Sequence, residues 1–91
     1  MKAWKELSGR LRAEAGVCEK CGATEGLQTH HVLEKKAWPN MLLEERDLVV
    51  LCRRCHFMAH RHHSAEFHAW LASHKPDQWA WICDQVAKNG F

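Results

Sequence analysis

Two Cys-x-x-Cys pairs, Cys18/Cys21 and Cys52/Cys55, constrain this chain more than any other feature. Its 91 residues make one domain, 1–91, with a limited apolar core. Domains of that size often need a staple. Each pair sets two sulfurs one tight turn apart, and Gly22 lets the first turn close. The second pair falls where an apolar run, Leu48 to Leu51, gives way to a helical pattern. Four thiolates so arranged can converge tetrahedrally on one zinc ion while the segments between them form a hairpin. The rival reading, a redox dithiol, does not explain two matched pairs. A structural Zn²⁺ on Cys18, Cys21, Cys52 and Cys55 is the expectation.

No apolar run approaches the length of a membrane span, and the charged N-terminus, MKAWKELSGRLRAEAG, has no apolar signal-peptide centre. A cytoplasmic, reducing setting without a membrane partner is expected. There, a Cys-x-x-Cys pair points to metal binding or redox activity over a structural disulfide. Thirteen basic against eleven acidic residues give a formal charge of +2. A zinc ion on four thiolates, with a local charge of about −2, would cancel that excess. Net charge is therefore a poor guide to nucleic-acid binding here, and the position of the charges must carry the argument. The odd cysteine, Cys83, shares helical spacing with Trp79, Ile82 and Val86, which predicts a small buried hydrophobe.

Periodicity predicts a helix over 3–15, with Trp4, Leu7 and Leu11 on one stripe and Gly16 as its stop. Leu27 to Val32 and Asp47 to Leu51 read as strands. Between them, Trp38-Pro39-Asn40 signals a turn or helix start. A helix from about Arg53 to His62 carries Cys55, His56 and His60. Ser64 is placed to cap a helix through His74, whose stripe is Phe67, Trp70, Leu71 and His74. Pro76 opens a last helix that ends near Asn89-Gly90.

Eight histidines are an excess for this length. His62, His63, His68 and His74 read as exposed or half-packed helix positions. His56 and His60, spaced i and i+4, project from one helix face and can share a metal. His30 and His31 end a strand, where neighbours point to opposite faces. Both reach one site only if the strand bends or ends near Val32-Leu33. Otherwise one of them is structural.

The combined pattern, Cys18-x-x-Cys21, His30-His31-Val32, Asp47-Leu48-Val49-Val50-Leu51, Cys52-x-x-Cys55-His56 and then His60, resembles the HNH endonuclease family over residues 17–61. The resemblance implies a small α+β fold: a β-hairpin and helix (ββα-metal) gripping one divalent ion, braced by the four-cysteine zinc. An N-terminal helix and two C-terminal helices lie outside it. It implies metal-dependent hydrolysis of DNA phosphodiesters. Carried over, His31 matches the general base, His30 and His56 match ligands of the catalytic ion, and His60 matches a further ligand of some members. The ion would be Mg²⁺, Mn²⁺, Ni²⁺ or Zn²⁺. The departure is Asp47, where the family usually has asparagine. Ionised Asp only accepts hydrogen bonds. Asp47 is therefore expected to take backbone N–H groups of the loop carrying the base, and to raise the pKa of His31 by its charge.

Lys35, Arg53, Arg54 and Arg61, with Lys36, cluster in sequence around these residues and are candidate phosphate contacts. The alternative for each is an ordinary solvated charge. The reading is a DNA-nicking endonuclease, monomeric or weakly homodimeric. The alternatives are a non-catalytic zinc-ribbon module that binds nucleic acid, and a histidine-rich metal-handling or structural domain.

Overall fold

A computed structural model describes residues 2–60 and 64–89. In chain order its helices and strands are α1 (Lys2–Ala15), β1 (Gln28–His31), β2 (Leu48–Leu51), α2 (Arg53–Ala59), α3 (Ser64–His74) and α4 (Pro76–Lys88). Two short 3-10 turns, Pro39–Met41 and Glu45–Asp47, lie between the strands. This is the expected α+β arrangement, and no described helix is long and apolar enough to cross a membrane.

Helix α1 stops at Gly16, whose φ of +69° is the left-handed conformation that glycine adopts without a Cβ clash. Its expected stripe of Trp4, Leu7 and Leu11 is only half-buried, and Ser8 is its buried residue. The Ser8 hydroxyl pairs with the Thr29 hydroxyl at 2.8 Å, which docks α1 on β1. The two strands pair antiparallel, with Thr29 opposite Val50, His30 opposite Val49 and His31 opposite Leu48. One further rung follows, from the Val32 N–H to the Asp47 carbonyl at 2.9 Å. All four β2 residues are buried, as an unbroken apolar run predicts.

The connection over 32–47 folds back into the core. Pro39 opens the first 3-10 turn, and Leu33, Trp38 and Met41 pack with Ile82 of α4. Helix α2 is shorter than expected. It ends at Ala59, and His60 is extended at φ −98°, ψ 165°, its amide donating to the Phe57 carbonyl. The expected continuation through Arg61 and His62 lies outside the described residues. Phe67 and Leu71 of α3 pack against Cys18, Val49, Leu51, Cys52, Cys55 and Ala59. Pro76 starts α4 as anticipated. Cys83, expected to be buried, is exposed. Burial on α4 centres on Ile82, and the next position lies about 100° round the helix.

The first cysteine pair is folded as a knuckle. The Gly22 N–H donates to the Cys18 carbonyl at 2.9 Å, and the Cys21 N–H donates to Cys18 Sγ at 3.4 Å. Glu19 ties the knuckle to β2: its N–H donates to the Val50 carbonyl at 2.9 Å, and its carboxylate accepts the Val50 N–H at 2.6 Å. Lys75 pairs with the same carboxylate. Cys52 caps α2, its Sγ accepting from the Cys55 N–H at 3.4 Å.

The four sulfurs lie within 4.8 Å of one another, Cys21 and Cys52 at 3.6 Å. A tetrahedral zinc with bonds of about 2.3 Å needs sulfur separations of roughly 3.8 Å, so the set fits. Burial pushes the Cys18 thiol up, but N–H groups of Cys21, Cys52 and Lys20 outweigh it and hold it at about 6. Burial and then the crowding of neighbouring sulfurs push Cys55 well above its ordinary value. One divalent cation relieves that crowding, because it favours the thiolate at every ligand.

An ion held by these four sulfurs would couple ligation to folding. A strong chelator should abolish cooperative melting followed by circular dichroism, and added Zn²⁺ should restore it. An unchanged melting temperature after verified zinc removal contradicts the assignment.

Candidate metal centre

The alternation of β1 sorts its side chains. Thr29 and His31 meet α1, at Ser8 and Trp4. Gln28 and His30 meet α2, at His56. This is the period of two that a strand imposes. Because the strand ends at His31, both histidines still line one cavity. It holds about 450 Å³ and is also lined by Trp4, Thr29, Glu34, Lys35, Lys36, His56 and His60.

His30, His56 and His60 offer ligand nitrogens within 4.8 Å of one another. The His30 ring centroid is 5.0 Å from that of His56 and 4.8 Å from that of His60. His60 reaches the cluster from just beyond α2, not from its face. His30 is buried, 4 % exposed, with the Phe67 ring edge-on at 5.2 Å. Burial, then the neighbouring imidazoles with His56 foremost, lowers its pKa to about 3. It therefore stays neutral across the ordinary pH range, which is the ligating form.

The tautomer of His56 follows from its partner. Gln28 Oε1 can only accept, so His56 Nδ1–H donates to it and Nε2 keeps its lone pair. Three imidazoles so grouped fit a divalent ion with positions left open for other ligands. Gln28 is the partner that orients one of them. Sequence reasoning missed it; its one signal was the period-two spacing with His30 on the same strand.

His31 stands apart from the ligand set. Its Nε2 is 3.1 Å from the Leu42 carbonyl, which can only accept, so Nε2 carries the hydrogen and Nδ1 is the free base. Its ring stacks on Trp4, with centroids 4.7 Å apart. Burial, with help from the Lys35 charge, lowers its pKa below 6.5 against the opposing Leu42 contact.

Asp47 is fully buried and accepts the Leu33 N–H at 2.7 Å through Oδ1. It thus ties down the loop that follows His31, as expected of an acceptor. The expected electrostatic action on His31 is corrected: that ring is held below its ordinary value by burial, and its polar partner is Leu42. Asp47 is also poorly placed to be ionised. Burial raises its pKa to about 7, against the opposing Leu33 N–H, and Oδ2 has no partner among the described residues.

Of the expected phosphate contacts, Lys35 lines the histidine cavity, as does Lys36. Arg53 and Arg54 are exposed on α2 and do not line it. Arg54 faces a separate hollow with Lys20, Cys21 and Glu66. Arg61 lies outside the described residues.

Among known proteins, residues 18–68 match the family model described as HNH endonuclease. No curated protein and no solved structure matches the chain.

Two outcomes follow from this geometry. Gln28→Ala should weaken Co²⁺ binding at the histidines by about 10- to 100-fold in calorimetric titration of the zinc-loaded protein. Unchanged affinity contradicts the orienting role. For Asp47, the folded pKa of about 7 lies above the ordinary 3.8. Between those values the fold keeps a proton that the unfolded chain releases, so rising pH through this window destabilises the fold. Asp47→Asn mimics the protonated form. It should gain about 1–3 kcal/mol in urea unfolding at pH 8, with the gain shrinking towards pH 4. A variant less stable than the parent at pH 8 contradicts the burial argument.

Proposed function

The chain belongs to the HNH endonuclease family, and from that premise we propose that it is a metal-dependent nuclease that hydrolyses DNA phosphodiester bonds, one strand at a time. The observation that carries this reading is the meeting of two kinds of histidine on one cavity. Three imidazoles there can share a cation, and a fourth, His31, keeps a free Nδ1 outside that set. A purely structural or nucleic-acid-binding zinc module has no use for the second group.

Each residue then has a task. His30, His56 and His60 hold the divalent ion, which when bound supplies positive charge to a phosphate oxygen and the leaving oxygen. The Lys35 and Lys36 ammonium groups draw the phosphate into the cavity. His31 takes a proton from water through Nδ1. The water oxygen bonds to phosphorus as the bond to the leaving sugar oxygen breaks, and that oxygen takes a proton from solvent. Asp47, through Leu33, and Leu42, through its carbonyl, hold the loop and ring in place. A reducing, cytoplasmic setting belongs to this reading, because it keeps the four thiols free for zinc. So does a monomer or weak dimer, which fits nicking better than paired cuts.

The test is conversion of supercoiled plasmid to open circles with Mn²⁺ or Mg²⁺. Wild type should nick, EDTA should stop it, and His31→Ala should lower kcat by about 10²–10⁴-fold. DNA binding without cleavage in the wild type favours the non-catalytic module.

A further inference from the structure

We propose that Trp4, on a helix outside the matched residues 18–68, is a positioning residue that holds the His31 ring in its reactive orientation; this rests on the nuclease reading above. The argument is one of register between a helix and a strand. Trp4 and Ser8 are one turn apart on α1, so they share a face. Thr29 and His31 are two apart on β1, so they share a face. The Ser8–Thr29 hydroxyl pair at 2.8 Å sets one face against the other. Thr29 Oγ1 also reaches the Ser8 carbonyl at 3.5 Å, and Arg12 Nε donates to that carbonyl at 3.2 Å. With that contact fixed, the next residue along each face is Trp4 on one side and His31 on the other.

The result is an imidazole restrained in two independent ways. The Leu42 carbonyl holds one edge of the ring at Nε2. The indole covers one face, with centroids 4.7 Å apart and planes 28° apart. A single edge contact leaves the ring free to rock about that hydrogen bond, and a stacked indole opposes the rocking. Trp4 also lines the cavity with His31, so substrate entering there meets the ring already oriented. Trp4 itself is only half-buried, and the apolar core clusters do not include it. Its replacement is therefore expected to leave the fold in place, which the zinc content of the variant checks. Small misplacements of a reacting group can cost about 100-fold in rate.

The experiment compares wild type, Trp4→Ala, Trp4→Phe and His31→Ala, all zinc-loaded, in plasmid nicking and in ¹H–¹³C NMR of the histidine rings. Trp4→Ala should lower kcat by about 10-fold or more with KM unchanged. The His31 ring protons should lose the upfield shift that a stacked indole induces, and the zinc content should stay the same. Trp4→Phe, which keeps an aromatic face, should recover most of kcat. A Trp4→Ala protein with wild-type kcat, while His31→Ala is inactive, overturns the inference and leaves the nuclease reading standing. A loss confined to KM makes Trp4 a substrate contact and also overturns it. A wild type that cuts no DNA under any metal removes both.

Discussion

The convergence of four sulfurs is the constraint on which the remaining geometry depends. Cys18 and Cys21 belong to a knuckle that Glu19 pairs with Val50, so the knuckle and β2 are locked in register. Cys52 follows β2 and caps α2, and His56 follows Cys55 directly. On the other edge of β2, the pairing with β1 sets His30 across from Val49. The sulfur site thus decides where α2 leaves the hairpin, and with it the distance between an imidazole on the strand and one on the helix. Without the sulfur site, a two-stranded sheet and a seven-residue helix have too little apolar surface to hold those rings together.

The C-terminal helices add what the knuckle lacks. Phe67 and Leu71 close the apolar side of the sulfur site, and Ile82 fixes the connection between the strands through Leu33, Trp38 and Met41. Phe67 also meets the His30 ring edge-on, and so helps to keep that imidazole dry and neutral. These helices therefore act on the site through packing, without joining the group of three histidines.

Much of this was legible in the residues alone, because metal ligands announce themselves by type and spacing. The four cysteines and the His30, His56 and His60 group come together as read. What spacing could not convey was how His60 arrives, since the helix stops one residue short of it. Nor could it reveal Gln28, Ser8 and Thr29, whose roles arise from pairing between elements and not from any local pattern. Cys83 was misjudged because helical spacing defines a stripe only to within about one residue, and Ile82 took its centre. Asp47 was placed correctly as an acceptor for the loop, but its charge state depends on burial, to which a sequence is blind.

The central proposition is that one chain holds two chemically different metal sites, one of sulfur and one of nitrogen. Native mass spectrometry of the zinc-saturated protein examines it most directly. Wild type should carry two ions per chain, and His56→Ala and His60→Ala should each carry one while remaining folded. A single ion in all three, or loss of both ions on removing one histidine, would contradict it.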